Sequence, residues 1–199
     1  MKFTKSYLAA AIAVLGMTAV AEVLPAPQTT GGMPLMDAVA SRKSSRDIDP
    51  AQLVTKQELS NILWAAWGLT HDGKHTVGTA MNRQELTVYV ITATEISRYN
   101  PESNTLTTIV KGDYRADAGS QEFAQQAPVN VVFVVDTQKQ KSVEYQGYTV
   151  GAASQNVYLY CASVGLKTVV RGMFDHDKLP KVLSLGENER VVLVQTVGR

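Results

Sequence analysis

Apolar and polar positions recur along this chain with two different periods, and the switches between them mark out most of its elements. Leu35, Met36, Val39 and Ala40 fall at helical spacing and predict a short helix from Pro34 up to Arg42. Asp49-Pro50 breaks that run. Thr55-Lys56-Gln57-Glu58 then reads as a capping box, in which the threonine hydroxyl and the glutamate carboxylate satisfy backbone N–H groups at a helix start. Leu59, Ile62, Leu63, Ala66 and Trp67 give that helix one apolar face, and Gly68 is placed to end it. Residues 69–85 are a polar loop, 86–93 read as a buried strand, and 95–99 with 105–110 form a hairpin around Asn100-Pro101-Glu102-Ser103-Asn104. Residues 114–126 predict a helix, and 129–135, five valines among seven residues, a central strand. A helix over 151–164 is apolar nearly all round, which suits deep core or a subunit interface, and Gly165 ends it. A strand over 167–171, the turn Gly172-Met173-Phe174, a short helix capped by Asp175 and a strand over 189–197 complete an α+β pattern without repeats.

The N-terminus stands apart from this pattern. Lys2 and Lys5 precede an apolar run over residues 7–21 that ends in Ala19-Val20-Ala21, the layout of a cleaved secretory signal over residues 1–21. The expected mature chain starts at Glu22 and is exported, to the periplasm. Residues 22–33, with Pro25, Pro27, Gly31 and Gly32, read as a flexible leader, and 34–199 as one domain. Without Lys2 and Lys5, 17 basic residues face 18 acidic ones, a balance that argues against nucleic acid as a partner, which needs a net basic face. No later run is long and apolar enough for a membrane span. With one cysteine, Cys161, the fold holds by packing rather than by an internal disulfide.

Four places carry chemistry. Ser41-Arg42-Lys43-Ser44-Ser45-Arg46 packs three cations and three hydroxyls into six positions, a cluster able to grip a phosphate and a polar ring edge together. Asn82-Arg83-Gln84 sets two amides just before a strand, and an amide's adjacent donor and acceptor suit the carbonyl and imide edge of a flavin ring. Val169-Val170-Arg171-Gly172 ends a strand at a glycine before a helix, leaving backbone N–H groups open to a ring nitrogen or an anion. Arg199, just past the last strand, has the charge to close on a phosphate, against the pull of its own terminal carboxylate. His71 and His75 have i, i+4 spacing but lie in a glycine-interrupted loop with no third ligand, so no metal site is expected. Cys161, Trp64, Trp67, Tyr158 and Tyr160 read as core or interface.

The order of these places resembles the nitroreductase family of FMN flavoproteins. The resemblance rests on Arg-x-Ser-x-Arg after the first helix, Asn-x-Gln before a strand, Gly-Ala-Ala-Ser-Gln-Asn-Val-Tyr-Leu in a long apolar helix, and Arg-Gly-Met-Phe-Asp after the next strand. Leu-Trp-Ala-Ala-Trp-Gly-Leu-Thr is similar to the SagB-type dehydrogenase branch. The likeness covers about residues 34–198 and implies a central, mostly antiparallel sheet flanked by helices in a homodimer, with FMN at the subunit interface. It assigns phosphate and ribityl contacts to Arg42, Lys43 and Ser44, and to Arg46 a cation beside the pyrimidine edge that tunes the flavin. Asn82 and Gln84 become the amide pair beside the ring, the backbone of Arg171 and Gly172 approaches the reactive ring nitrogen, and no side chain is named as a general acid.

The chain stops at Gly198-Arg199, short of the arm that larger members wrap around their partner, and the stretch between Asp136 and Val150 is too short for a covering insertion. An open flavin face and a small-molecule substrate follow as expectations. Two functions result: an exported FMN-dependent oxidoreductase, or a non-catalytic flavin-binding or partner-binding member keeping the dimer fold. Export removes the nicotinamide donors of the cytoplasm, so a quinol or a redox partner protein is expected as electron donor.

Overall fold

The computed structural model describes residues 21–199, so the signal-peptide expectation lies, apart from Ala21, outside the described residues. A seven-stranded sheet runs through the molecule in the order β1-β4-β3-β2-β5-β7-β6, with every neighbouring pair antiparallel. Its strands are β1 (Ala21–Val23), β2 (Leu86–Ile91), β3 (Glu95–Asn100), β4 (Thr105–Lys111), β5 (Val129–Asp136), β6 (Lys167–Arg171) and β7 (Glu189–Gly198). The valine-rich β5 lies between β2 and β7 and is buried on both faces from Val129 to Val135, which is why it alternates so little.

Among the described residues six α-helices cover the two faces: α1 (Leu35–Ser41), α2 (Lys56–Trp67), α3 (Arg115–Ala118), α4 (Glu122–Gln126), α5 (Val143–Val164) and α6 (Lys178–Val182). On one face α2 and α5 pack Ile62, Leu63, Ala66, Val150, Ala153 and Val157 onto Val129, Val131 and Phe133. The other face gathers Val132, Val134 and Val194 with Ala118 of α3 and Leu179 of α6. Removal of such side chains from water, roughly 1.5–3 kcal/mol for each fully buried one, is the main force holding the layers together.

The capping box of α2 forms as the sequence predicts: Thr55 Oγ1 accepts from the Glu58 N–H, and Glu58 Oε2 accepts from the Thr55 N–H at 2.8 Å. Gly68 ends the helix in an extended conformation, and a Cβ there would collide with the Trp64 side chain. Helix α5 begins at Val143 rather than residue 151, capped by Ser142 Oγ and ended by left-handed Gly165. Its early turns escape an apolar pattern because two of their buried residues are polar: Gln146 donates to the Gln140 carbonyl and Thr149 to Glu85. The helix expected over 114–126 is two short ones, broken at Gly119 where the Arg171 guanidinium occupies the space a Cβ would need. Asp175 does cap the turn before α6, accepting from the N–H groups of Asp177 and Lys178.

The expectation of a flexible leader over 22–33 needs correction at its start. Glu22 and Val23 pair with β4, Leu24 is buried in the core, and the Ser60 hydroxyl and the Asn104 amide both donate to the Pro25 carbonyl. The Gln28 N–H donates to Asn61 Oδ1 at 2.8 Å. Prolines here keep the chain extended for side-chain anchoring rather than freeing it.

Candidate functional site

β6 forms one border of the sheet, and the site is built along its free edge. In an antiparallel strand alternate residues turn their backbone groups toward the neighbour or away from it. Lys167, Val169 and Arg171 face β7, leaving Thr168 and Val170 facing outward, and just past the strand the Gly172 N–H points outward too, being trans to the Arg171 carbonyl across their peptide bond. The Thr168 carbonyl accepts from the Ser45 N–H at 2.9 Å, which lays the segment after α1 along this edge. The Val170 N–H donates to the Tyr158 hydroxyl at 2.9 Å, and that hydroxyl lies 2.7 Å from Ser44 Oγ. Gly172, about 6.6 Å beyond Val170 at a strand's rise per residue, is exposed, has open space where a Cβ would be, and has no hydrogen-bond partner among the described residues.

The cationic run therefore sits beside an open backbone amide. The Arg42 guanidinium lies over the Tyr158 ring, 5.0 Å from its centroid, while Lys43, Ser44 and Arg46 are exposed. The acids that follow are turned elsewhere: Asp47 pairs with Lys167 at 3.0 Å, and Asp49 accepts from the Ala51 N–H and the Gln52 amide. Among the described residues no carboxylate pairs with Arg42, Lys43 or Arg46. Three cations and a hydroxyl without a counter-charge suit a dianionic phosphate.

Two expected contacts need correction. The backbone of Arg171 faces β7 opposite Val194, so Gly172 alone offers an outward N–H at the strand's end. The Arg171 side chain is buried on the opposite face of the sheet from α5, hydrogen-bonded to Ala118, Asn130, Met173 and Thr196. Desolvation of that guanidinium holds its pKa down at about 10. Arg199 is engaged as well, its guanidinium paired with Glu58 and its carbonyl accepting from the Asp49 N–H at 2.5 Å. Burial works against the charge of Glu58, but the Thr55 hydrogen bonds and the Arg199 cation hold its carboxyl below the usual glutamate range. Arg199 ties the chain end to α2 rather than reaching toward the cationic run.

Asn82 and Gln84 stand on a strained turn. Met81, Asn82 and Gln84 have φ of 55°, 52° and 51°, a left-handed conformation that costs non-glycine residues roughly 1–3 kcal/mol each. Surrounding bonds hold it: Thr79 Oγ1 accepts from the Gln84 N–H at 3.0 Å, and Arg83 donates to the Lys139 carbonyl at 2.7 Å. Lys139 Nζ donates to the Gln84 carbonyl, and Glu85, fully buried, accepts from Thr149 at 2.6 Å. Both amides are exposed, Gln84 Nε2 lying 3.3 Å from Asn82 Oδ1. Among the described residues no hydrogen bond joins this turn to the cationic run. A cleft of about 600 Å³ opens beside it, lined by Gln84, Trp67, His75, Arg98, Tyr99 and Lys139, but no residue of the cationic run lines that cleft, nor does Gly172. In a single chain the cationic ledge is a surface feature, not a cavity.

The remaining candidates take structural positions. His75 stacks on Trp67 with ring centroids 3.7 Å apart and meets the Trp67 carbonyl through Nδ1, and burial lowers its pKa. Cys161 is fully buried, and desolvation drives its thiol pKa up, the opposite of what a nucleophile needs. Tyr158, read from the sequence as core or interface, is the residue that reading missed. It is buried, yet its hydroxyl joins the cationic run to β6. Helical spacing marked its ring as core and gave no sign of where the hydroxyl would go.

Comparison with known proteins bears on this arrangement. Residues 39–199 match the Nitroreductase family profile. A candidate nitroreductase from Methanocaldococcus jannaschii is 30% identical over 182 residues, covering 83% of this chain and 90% of that protein. The crystal structure of a candidate nitroreductase from Ralstonia eutropha superposes with a TM-score of 0.83 at 35% identity, covering 93% of this chain and 91% of the other. A candidate nitroreductase from Desulfovibrio desulfuricans, solved in complex with FMN, shares the fold with a TM-score of 0.62 at 20% identity, covering 84% and 87% of the two chains.

Proposed function

The chain belongs to the nitroreductase family, and on that premise we propose that it is an exported FMN-dependent oxidoreductase acting on a small organic molecule. The observation that carries the proposal is the free edge of β6, where unpaired cations, the Ser44 hydroxyl and the open Gly172 N–H lie side by side. A flavin mononucleotide needs those three kinds of partner: cations for its phosphate, hydroxyl donors for its ribityl chain and a backbone amide at its ring.

Bound FMN would supply the hydride and electron transfer that no side chain here can perform. Arg42 and Lys43 would hold the phosphate with charge-assisted bonds, and Ser44 the ribityl chain, its orientation fixed by Tyr158. Arg46 would set a positive charge near the pyrimidine edge, where negative charge develops on reduction. Asn82 and Gln84 would present amides to the carbonyl and imide edge, their turn kept rigid by Thr79, Lys139 and buried Glu85. Arg199, paired with Glu58, is left out of this set.

The site is then completed by a second copy of the chain. Helix α1 exposes Leu35, Met36 and Val39, and α5 leaves Tyr148, Gly151 and Ala152 uncovered, an apolar surface that a homodimer would bury. The signal-like N-terminus motivates export to the periplasm, where a quinol or a redox protein replaces nicotinamide as donor.

The test is an absorbance spectrum of the exported protein before and after FMN is added and excess removed, with Arg42→Ala/Ser44→Ala beside it. Flavin bands in the wild type and a loss of affinity of about a hundredfold in the double variant are expected, from about 1.5–3 kcal/mol for the charge-assisted bond of Arg42 and about 0.5–1.5 kcal/mol for the neutral bond of Ser44. A colourless wild type that refuses FMN, or a double variant of unchanged affinity, refutes the assignment.

A further inference from the structure

We infer that Arg171 is a positioning residue for the flavin, acting through the backbone of Gly172 rather than by touching the ring. The inference rests on the proposed reading of β6 as the flavin-binding edge, and its argument is mechanical. Arg171 Nη1 donates to the Met173 carbonyl at 3.0 Å, so the side chain reaches past Gly172 and closes a loop around it. The same nitrogen donates to the Ala118 carbonyl at 2.9 Å, and Nη2 to Asn130 Oδ1 at 2.9 Å. Nε and Nη2 both reach Thr196 Oγ1, at 3.1 and 2.7 Å. These partners come from the end of α3, from β5, from β7 and from the turn itself, so one planar fork fixes the turn to three separate parts of the fold.

All of these partners are neutral, and Arg171 is 6% exposed. A buried cation with no carboxylate is a costly choice for holding a turn, since its desolvation is offset only by neutral dipoles and by the Phe123 ring, whose centroid lies 5.7 Å from the guanidinium carbon. The fold accommodates it further by keeping Gly119 free of a side chain where the guanidinium passes. The arrangement yields a rigid turn at the end of an edge strand, a place that otherwise frays, with the Gly172 N–H held pointing outward.

An N–H aimed at the ring distinguishes two states of a flavin. A ring nitrogen with a free lone pair accepts the hydrogen bond, as in the oxidised form, whereas a reduced ring nitrogen carries a hydrogen and cannot accept it. A well-placed Gly172 N–H therefore favours the oxidised form over the reduced one, and loosening the turn gives up that preference. Lysine at 171 keeps the charge but has a single nitrogen in place of the fork, so it cannot serve all four partner residues.

The test compares Arg171→Lys with the wild type by FMN dissociation constants under oxidised and reduced conditions and by the midpoint potential of the bound flavin. The expected result for Arg171→Lys is an oxidised-state dissociation constant about tenfold higher and a reduced-state constant nearly unchanged. The midpoint potential then rises by about 30 mV, a tenfold change for a two-electron couple. Ile62→Val, fully buried in the core on the other face of the sheet, lowers thermal stability without moving the potential. Should Arg171→Lys not fold, Thr196→Val removes the shared acceptor while leaving the arginine, and a smaller rise is expected. Equal weakening of both redox states with an unchanged potential reduces Arg171 to a structural residue and overturns the inference. So does an unchanged pair of constants. A wild type that takes no FMN instead overturns the flavin reading itself, and this inference with it.

Discussion

Tyr158→Phe tests the joint that holds the cationic run against the sheet. The substitution keeps the buried ring under Arg42 and deletes the hydroxyl that accepts from the Val170 N–H at 2.9 Å and lies 2.7 Å from Ser44 Oγ. Val170 then carries a half-buried N–H with no replacement partner, at a cost of about 1–3 kcal/mol. Ser44 is exposed and water can replace its lost partner, so that bond adds only about 0.5 kcal/mol. A total near 2 kcal/mol corresponds to a fall in melting temperature of about 4–8 °C for a domain of this size. Ser44→Ala removes only the second bond and should cost about 1–2 °C. Thermal unfolding followed by circular dichroism on both variants and their double mutant, without added ligand, measures the two contributions and their coupling. The reasoning fails if Tyr158→Phe melts within 1 °C or so of the wild type, or if Ser44→Ala costs more than Tyr158→Phe, either result meaning that the hydroxyl does not serve β6.

Other outcomes follow from the same structure. Cys161, fully buried with its thiol pKa raised, should resist iodoacetamide in the native state and label in step with urea unfolding; prompt native labelling would contradict its burial. Glu58 has a depressed carboxyl pKa in the fold, so it contributes stability above its unfolded pKa, and that stability is lost as pH falls through the lower folded value. Melting temperatures from neutral pH into the acid range should therefore fall less steeply for Glu58→Gln, with a difference of about 1 kcal/mol at neutral pH that vanishes in acid; parallel curves would refute this. Gly119→Ala should place a Cβ against the Arg171 guanidinium and Ala124, destabilising by about 1–3 kcal/mol in urea titrations. An unchanged midpoint would mean that the fork does not pass there.

Much of the fold could be read from the chain because its strands and helices obey their own local rules. The bounds of β6 follow from its β-branched pattern, and the start of α2 from a capping box whose two hydrogen bonds involve residues three apart. The reading failed where the determinant was distant in sequence. Residues 22–28 looked loose because Pro25 and Pro27 interrupt them and Gly31 and Gly32 follow, but their partners are Ser60, Asn61 and Asn104. The break in the expected helix over 114–126 falls at Gly119, where Arg171 packs, and the early start of α5 depends on polar residues buried against Gln140 and Glu85. At the candidate site the cationic run was visible as composition, whereas the commitments of Arg199 to Glu58 and of Tyr158 to Val170 depend on contacts across the whole fold.

The same physics that makes β6 a hazard makes it a candidate site. An edge strand presents a row of backbone groups ready to pair with another chain, and stable proteins cover or blunt such rows. Here the Ser45 N–H covers the Thr168 carbonyl, and the Tyr158 hydroxyl covers the Val170 N–H. Both coverings bring chemistry with them: Ser45 lies within the cationic run, and Tyr158 reaches Ser44. The protection ends at Gly172, where the strand gives way to a turn that Arg171 grips from the opposite face. One uncovered amide at the end of a protected edge is too small a template for strand addition, yet enough for a single hydrogen bond to a flat ring. A side chain at position 172 would crowd the approach proposed for the flavin, and nothing lies within 4 Å of where its Cβ would be.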